Sequence, residues 1–299
     1  LMAGFPAGAQ VGGGSVYVDA AQGADTPERS GSAGEPFASI TFALQQLQSA
    51  SVPQPWTLRL KAGTYAAPAE TFPIPLHAGM TLRGEDDPKL VVISGAGNPN
   101  TSAALVFGDS ATGVTISGIT FQGQERTGGT NQGGALELRQ SSGLIEGCRF
   151  IDNSTRLAGG AIWASLAVGQ TLPLNNLFFH GNSAEGSAQA VMSGGAVHIE
   201  GDFRGGISGS LFEENFVENF PGNSAEMRAA GGAFFVSGDF LQGGVSNTTF
   251  EGNTVKPYGG NLASNVSAGG ALYVGGDAVT QFTGSNWLDN LVYGATSDG

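Results

Sequence analysis

One feature limits what this chain can become more than any other: two short motifs alternate along its C-terminal half. Gly-Gly-Ala followed by a hydrophobic stretch begins at Gly133, Gly159, Gly194, Gly231 and Gly269. An aromatic residue three positions before an Asn recurs as Phe150/Asn153, Phe179/Asn182, Phe212/Asn215, Phe250/Asn253 and Trp287/Asn290. Strict alternation of two motifs is the mark of stacked repeats, in which each unit covers the core of its neighbour.

The spacings divide each repeat in two. From the first Gly of each Gly-Gly-Ala to the next aromatic there are 17, 20, 18, 19 and 18 positions, whereas from each Asn to the next Gly-Gly-Ala there are 6, 12, 16 and 16. The first interval reads as scaffold with fixed turns. The second reads as a loop on one side of the structure that lengthens towards the C-terminus, which is where repeat proteins place binding function.

Within the scaffold the residues after Gly-Gly-Ala alternate with period two. One parity holds Leu136, Ile162, Val197, Phe234 and Leu272, then Leu138, Ala164, Ile199, Val236 and Val274. All are apolar, so this parity points inward. The other holds Glu137, Trp163, His198, Phe235 and Tyr273, then Arg139, Ser165, Glu200, Ser237 and Gly275, a mixed set that points outward. The Phe column and the apolar residue five before it (Ile145, Leu174, Ile207, Val245, Phe282) form a second inward stack, and the Asn column a ladder in the turn. Fifty glycines without a Gly-X-Y period mean many tight turns between short strands. The expected fold is all-β: a right-handed, single-stranded parallel β-helix.

Residues 15–121 lack the repeat but read as the cap and opening coils of the same solenoid. Ile40, Ala43, Leu44 and Leu47 fall at helical spacing behind Ser39, an N-cap. This short N-terminal helix is expected to cover the open end of the core, as solenoids require. Strands are expected at Ser15 to Asp19, Thr57 to Lys61, Met80 to Arg83, Leu90 to Ile93, Ala104 to Phe107 and Val114 to Phe121, with Lys61 to Tyr65 as a turn. Residues 1–14 read as a flexible leader, and residues 122–299 as the repeat coils. These are expected to continue beyond residue 299 or to associate end to end, because no cap follows Trp287 to Asn290.

Two resemblances attach to these residues. Val16-Tyr17-Val18-Asp19, Gly23-Ala24-Asp25, Pro36-Phe37-Ala38-Ser39-Ile40, the Gly-Thr-Tyr turn and Met80-Thr81-Leu82-Arg83-Gly84 resemble the opening module of secreted pectate-lyase-like β-helix proteins. The alternating Gly-Gly-Ala and Phe-x-x-Asn motifs of residues 121–290 resemble polymorphic outer membrane protein repeats. That resemblance implies a surface-exposed passenger domain, several of which are adhesins.

Charge excludes other partners. With a net charge of −13 and three lysines, the chain carries no basic cluster for nucleic acid or an anionic membrane. The single Cys148 forms no internal disulfide and reads as a buried thiol. Catalysis finds little material. The Asp86-Asp87 pair sits in a turn, and no outward column carries carboxylates on neighbouring coils. His77, His180 and His198 share no ligand spacing. Asp202, Asp239 and Asp277 recur in a Gly-Asp turn and read as bonding turn backbone; Ca2+ held between such turns is the one cofactor left open. The outward aromatic column Trp163, His198, Phe235, Tyr273 is the candidate binding site, able to stack on sugar rings or anchor a protein, unless the lengthening loops fold back and bury it. The expectation is therefore a noncatalytic adhesin or structural rod, secreted or on the outer cell surface, that binds a cell-surface glycan or protein. The rival is a secreted polysaccharide-active lyase or hydrolase.

Overall fold

The computed structural model describes residues 14–96, 98, 104–128, 132–186, 192–219, 228–257 and 266–293, so the leader lies almost wholly outside the described residues. Every ladder between described strands is parallel, and successive coils stack to give a single-stranded parallel β-helix, right-handed as strand twist dictates for parallel crossovers. Three sheets wall the core. A nine-stranded sheet runs from Ser15–Val18 to Phe282–Thr283, an eight-stranded one from Gly63–Tyr65 to Asn286–Leu288, and a seven-stranded one from Ile74–Pro75 to Leu272–Val274. The first two pass residue 121 without a break, joining the opening coils to the repeats.

Packing inside follows the columns. Phe121, Phe150, Phe179, Phe212, Phe250 and Trp287 pair in register. Their rings stack 4.4–5.2 Å apart and within 11° of parallel. Beside them Asn153, Asn182, Asn215, Asn253 and Asn290 form a ladder. The Nδ2 of each of the first four donates to the Oδ1 of the next Asn at 2.9–3.0 Å, and that of all five to the carbonyl of a Phe on the preceding coil. The backbone N–H of each of the first four also donates to the next Oδ1. A buried amide left unmade costs about 1–3 kcal/mol, so this satisfaction is what lets Asn sit in a core.

Both motif glycines are obligatory. The first, as at Gly159, takes φ of +64°, and a Cβ there would overlap the Ile162 carbonyl; a Cβ on the second, Gly160, would overlap the Gly195 carbonyl of the next coil.

The cap is a helix at Ile40–Ser49 burying Ile40, Ala43, Leu44 and Leu47, with Ser39 Oγ accepting from Phe42 N–H. Glu70, from the following coil, accepts from the Ile40 and Thr41 N–H groups and the Thr41 hydroxyl, completing the N-terminal cap. Burial holds the Glu70 carboxyl above its ordinary range. No helix among the described residues is long and apolar enough to cross a membrane.

Three local expectations fail. Val114 to Phe121 is two strands, Val114–Ser117 and Thr120–Gln122, because Gly118 turns the corner at φ +65°. Gly63–Tyr65 is a strand paired with Val91–Ile93 rather than a turn. Most consequentially, the variable interval is not simply loop. Directly after each Asn the chain adds a strand to a further six-stranded sheet: Ser154–Thr155, Ser183–Gly186, Phe216–Asn219, Thr254–Pro257 and Leu291–Val292, preceded by Glu125–Arg126. A three-stranded sheet of Met192–Ser193, Arg228–Ala230 and Val266–Ala268 faces it. Ala184, Met192, Val217, Ala229 and Val255 close a second, smaller core between them. The chain thus builds an annex along one side of the coil.

Candidate functional site

The annex changes what an outward position means. On the seven-stranded sheet Phe107, Glu137, Trp163, His198, Phe235 and Tyr273 stand in register on the outer face. On a bare coil they would be solvated. Here the chain returning from the annex runs alongside, with Gln132, Ala158 and Ser193 bridged in parallel as neighbours. Trp163, His198 and Phe235 are left only 6%, 5% and 7% exposed, while Tyr273 is half-buried. Phe220, Pro221, Met227 and Tyr258, the large side chains of the lengthening intervals that could fold back as cover, lie outside the described residues.

Four rings in register must stack, and they do. Centroids lie 6.4 Å apart for Trp163–His198, 4.8 Å for His198–Phe235 and 5.0 Å for Phe235–Tyr273, with planes within 19° of parallel. The stack uses up ring faces and turns ring edges outward. An aromatic edge carries the positive end of the ring quadrupole, so it favours oxygen acceptors over a stacked partner.

Polar groups flank this row. His198 Nδ1 lies 2.7 Å from Ser193 Oγ and its Nε2 lies 3.1 Å from Glu200 Oε2. The carboxylate only accepts, so Nε2 carries the proton and Nδ1 accepts from the Ser193 hydroxyl. Burial depresses the His198 pKa below its ordinary value, against the pull of Glu200. The hydrogen bond from His198 in turn lowers the Glu200 pKa, keeping it ionised. Beneath Trp163, Glu137 is clamped between Arg126 at 2.6 Å and Arg139 at 2.5 Å, with Arg126 and Glu137 both buried. Over these groups opens a cleft of about 290 Å³, lined by Gln132, Leu157, Trp163, Ser193, His198, Glu200, Phe235 and Ser237. The Trp163 Nε1–H is buried with no acceptor.

The sequence brought together the four column residues and put His198 and Glu200 on the same outward face. It missed Ser193, and one signal was there: positions just before each Gly-Gly read Gln132, Ala158, Ser193, Ala230 and Ala268, with Ser193 the single hydroxyl among them.

Other candidates resolve as scaffold. Asp86 and Asp87 accept from the Ala62 and Lys89 N–H groups. Asp202 and Asp239 accept from the N–H of the Asp one coil on, at 3.1 and 2.8 Å. His180 meets Glu213, and His77 packs on Trp56. Burial pushes the Cys148 thiol up to about 12, so it is no nucleophile. Among the described residues no three His, Cys, Asp or Glu side chains gather as a metal would need.

Three solved structures align with this chain. Pectin methylesterase PemA from Erwinia chrysanthemi aligns at 12% identity and a TM-score of 0.36, over 81% of this chain and 80% of that one. Pectin methylesterase from carrot aligns at 15% and 0.33, over 97% and 86%. ORF18 of Geobacillus virus E2 aligns at 15% and 0.31, over 91% and 62%. No curated protein is significantly similar in sequence. A family model, described as protein of unknown function (DUF1565), matches residues 21–264. That match spans well over half of the 299 residues, and the chain belongs to the DUF1565 family.

Proposed function

We propose that this chain is a noncatalytic, glycan-binding β-helix, displayed on the outer cell surface or secreted. In this reading it is a passenger domain of the polymorphic outer membrane protein type, and the cleft over Trp163, His198 and Phe235 is its binding site. One observation carries the reading: a row of aromatic rings 4.8–6.4 Å apart along the coil, flanked by the carboxylate of Glu200 and the hydroxyls of Ser193 and Ser237. A saccharide presents both hydroxyl donors, which a carboxylate accepts strongly, and oxygen acceptors, which ring edges favour.

The rival reading, a polysaccharide-active enzyme, draws on the Ser193–His198–Glu200 chain, which has the residue types of a nucleophilic triad. Its polarity is reversed for that work. Ser193 is the buried end and Glu200 the exposed one. The Gly194 and Gly195 N–H groups beside Ser193, which would be needed for an oxyanion, donate to the Ala230 and Gly231 carbonyls. Acid-base glycoside hydrolysis needs two carboxylates about 5–9.5 Å apart. Glu200 is the one carboxylate among the described lining residues, and Glu137 below is committed to two arginines.

A panel of polysaccharides, scored both for binding and for reducing-end or unsaturated products, tests the proposal. Binding without turnover is expected, and Glu200→Ala should weaken it at least tenfold with the melting temperature unchanged, since the side chain is half exposed. Turnover lost in Glu200→Ala would move the assignment to the enzyme; absence of binding to every glycan would end it.

A further inference from the structure

We infer that the cleft takes a linear oligosaccharide laid along the coil axis, in preference to a single sugar, and that Gln132 is the specificity-determining residue at its far end. The inference rests on the glycan-binding reading and adds the ligand's length and direction.

Direction follows from which residues line the cleft. Gln132, Ala158 and Ser193 are bridged in parallel as neighbours on three consecutive coils, and Trp163, His198 and Phe235 stand in register on the second, third and fourth. One side of four successive coils therefore supplies the lining, and the cleft crosses the strands along the coil axis. Glu200 ends the strand of His198, and Ser237 directly follows the strand of Phe235. With neighbouring coils about 4.8 Å apart, Gln132 stands roughly 10 Å along the axis from Glu200 and roughly 14 Å from Ser237.

Length follows from where the available polar groups lie. The middle of the cleft has none to give. Leu157 and Ala158 are apolar, both His198 nitrogens are engaged by Ser193 and Glu200, and the Trp163 Nε1 is sealed from solvent. At one end Glu200 keeps the carboxylate oxygen that His198 does not hold. Beside it the exposed Ser237 hydroxyl accepts from the Gly201 N–H and keeps its own proton to donate. At the other end Gln132 is part exposed, and its backbone carbonyl is what Arg126 holds, so the side-chain amide is left to offer a donor and an acceptor. The same position on later coils reads Ala158, Ser193, Ala230 and Ala268, so the amide occurs once, at the end of the cleft. A single pyranose engages one end. A chain that reaches both makes its second contact within a complex already formed, at an effective concentration set by its own span.

The test titrates the full chain by calorimetry with size series of one to five units of β-1,4-glucan, β-1,4-mannan and α-1,4-galacturonan. In a series that binds, affinity is expected to rise at least tenfold between one unit and three or four, then level off. Gln132→Ala keeps the backbone carbonyl that Arg126 holds, and it should abolish that rise while leaving the affinity for the single sugar unchanged. Glu200→Ala should weaken every length alike. An affinity that does not change with length, or the same rise in Gln132→Ala as in wild type, would overturn the inference while leaving glycan binding intact. Failure of the wild type to bind any member of the three series would overturn the underlying reading itself.

Discussion

The inner coil and the annex are made by the same chain, coil by coil, yet they hold together in different ways. In the inner coil each residue's main partner is its own counterpart one coil away: Phe on Phe, Asn on Asn, Gly-Gly under Gly-Gly. Identity of the copies is what satisfies the bonds, and the interval stays within 17–20 positions. In the annex the partners differ from coil to coil. The column Arg126, Thr155, Ala184, Val217, Val255 passes from a buried ion pair to an apolar core. On the outer face Glu137, Trp163, His198, Phe235 and Tyr273 are five different residues in one register. Structure is carried where the copies agree. The cleft lies where they disagree.

The largest effects should come from breaking the inner ladders. Phe212→Ala empties a stacked aromatic site and should cost about 3–5 kcal/mol in denaturant unfolding. Asn215→Ala strands the N–H donors of Asn182 and should cost about 2–5 kcal/mol, although no apolar contact is lost. If Asn215→Ala melts like wild type, the ladder is decoration and the contrast between the two regions collapses.

Changes in the annex should be milder. Val217→Ala removes two buried carbons from its five-residue core and should cost about 1.6 kcal/mol. Shortening residues 216–230 to a five-residue link would delete the strands Phe216–Asn219 and Arg228–Ala230. The inner sheets keep their own ladders, so β circular dichroism is expected to persist while glycan binding is lost. Loss of the whole β signal would make the annex part of the folding core.

The smallest effect is a pH slope. His198 has a depressed pKa in the fold, so between its ordinary value of 6.5 and that lower value the unfolded chain binds the extra proton. Stability is therefore full above pH 6.5 and declines as pH falls below it, by at most about 1.4 kcal/mol per pH unit. Glu200, also depressed, adds a loss in the same direction as pH drops below 4.5. Melting curves of His198→Phe should lack the first decline; an unchanged slope would remove His198 as its source.

What could be read from sequence follows the same division. The Phe and Asn columns, the inward parity and the helix behind Ser39 were legible because a period exposes them. The annex strands were not, because intervals of 6, 12, 16 and 16 positions hide any period. Burial of Trp163, His198 and Phe235 depends on those strands, so the column was visible while its cleft was not. Ser193 was missed because it is set beside His198 by a bridge from Ser193 to Ala158 that local pattern does not encode.

Native-state hydrogen exchange, resolved along the chain, tests the central division most directly. Amides of the inner strands Leu211–Glu213 and Thr249–Glu251 should exchange only with global unfolding, whereas those of Phe216–Asn219 and Thr254–Pro257 should open at a clearly lower free energy and gain protection with a bound glycan. Equal opening energies on both sides of the Asn ladder, unaltered by ligand, would contradict the account.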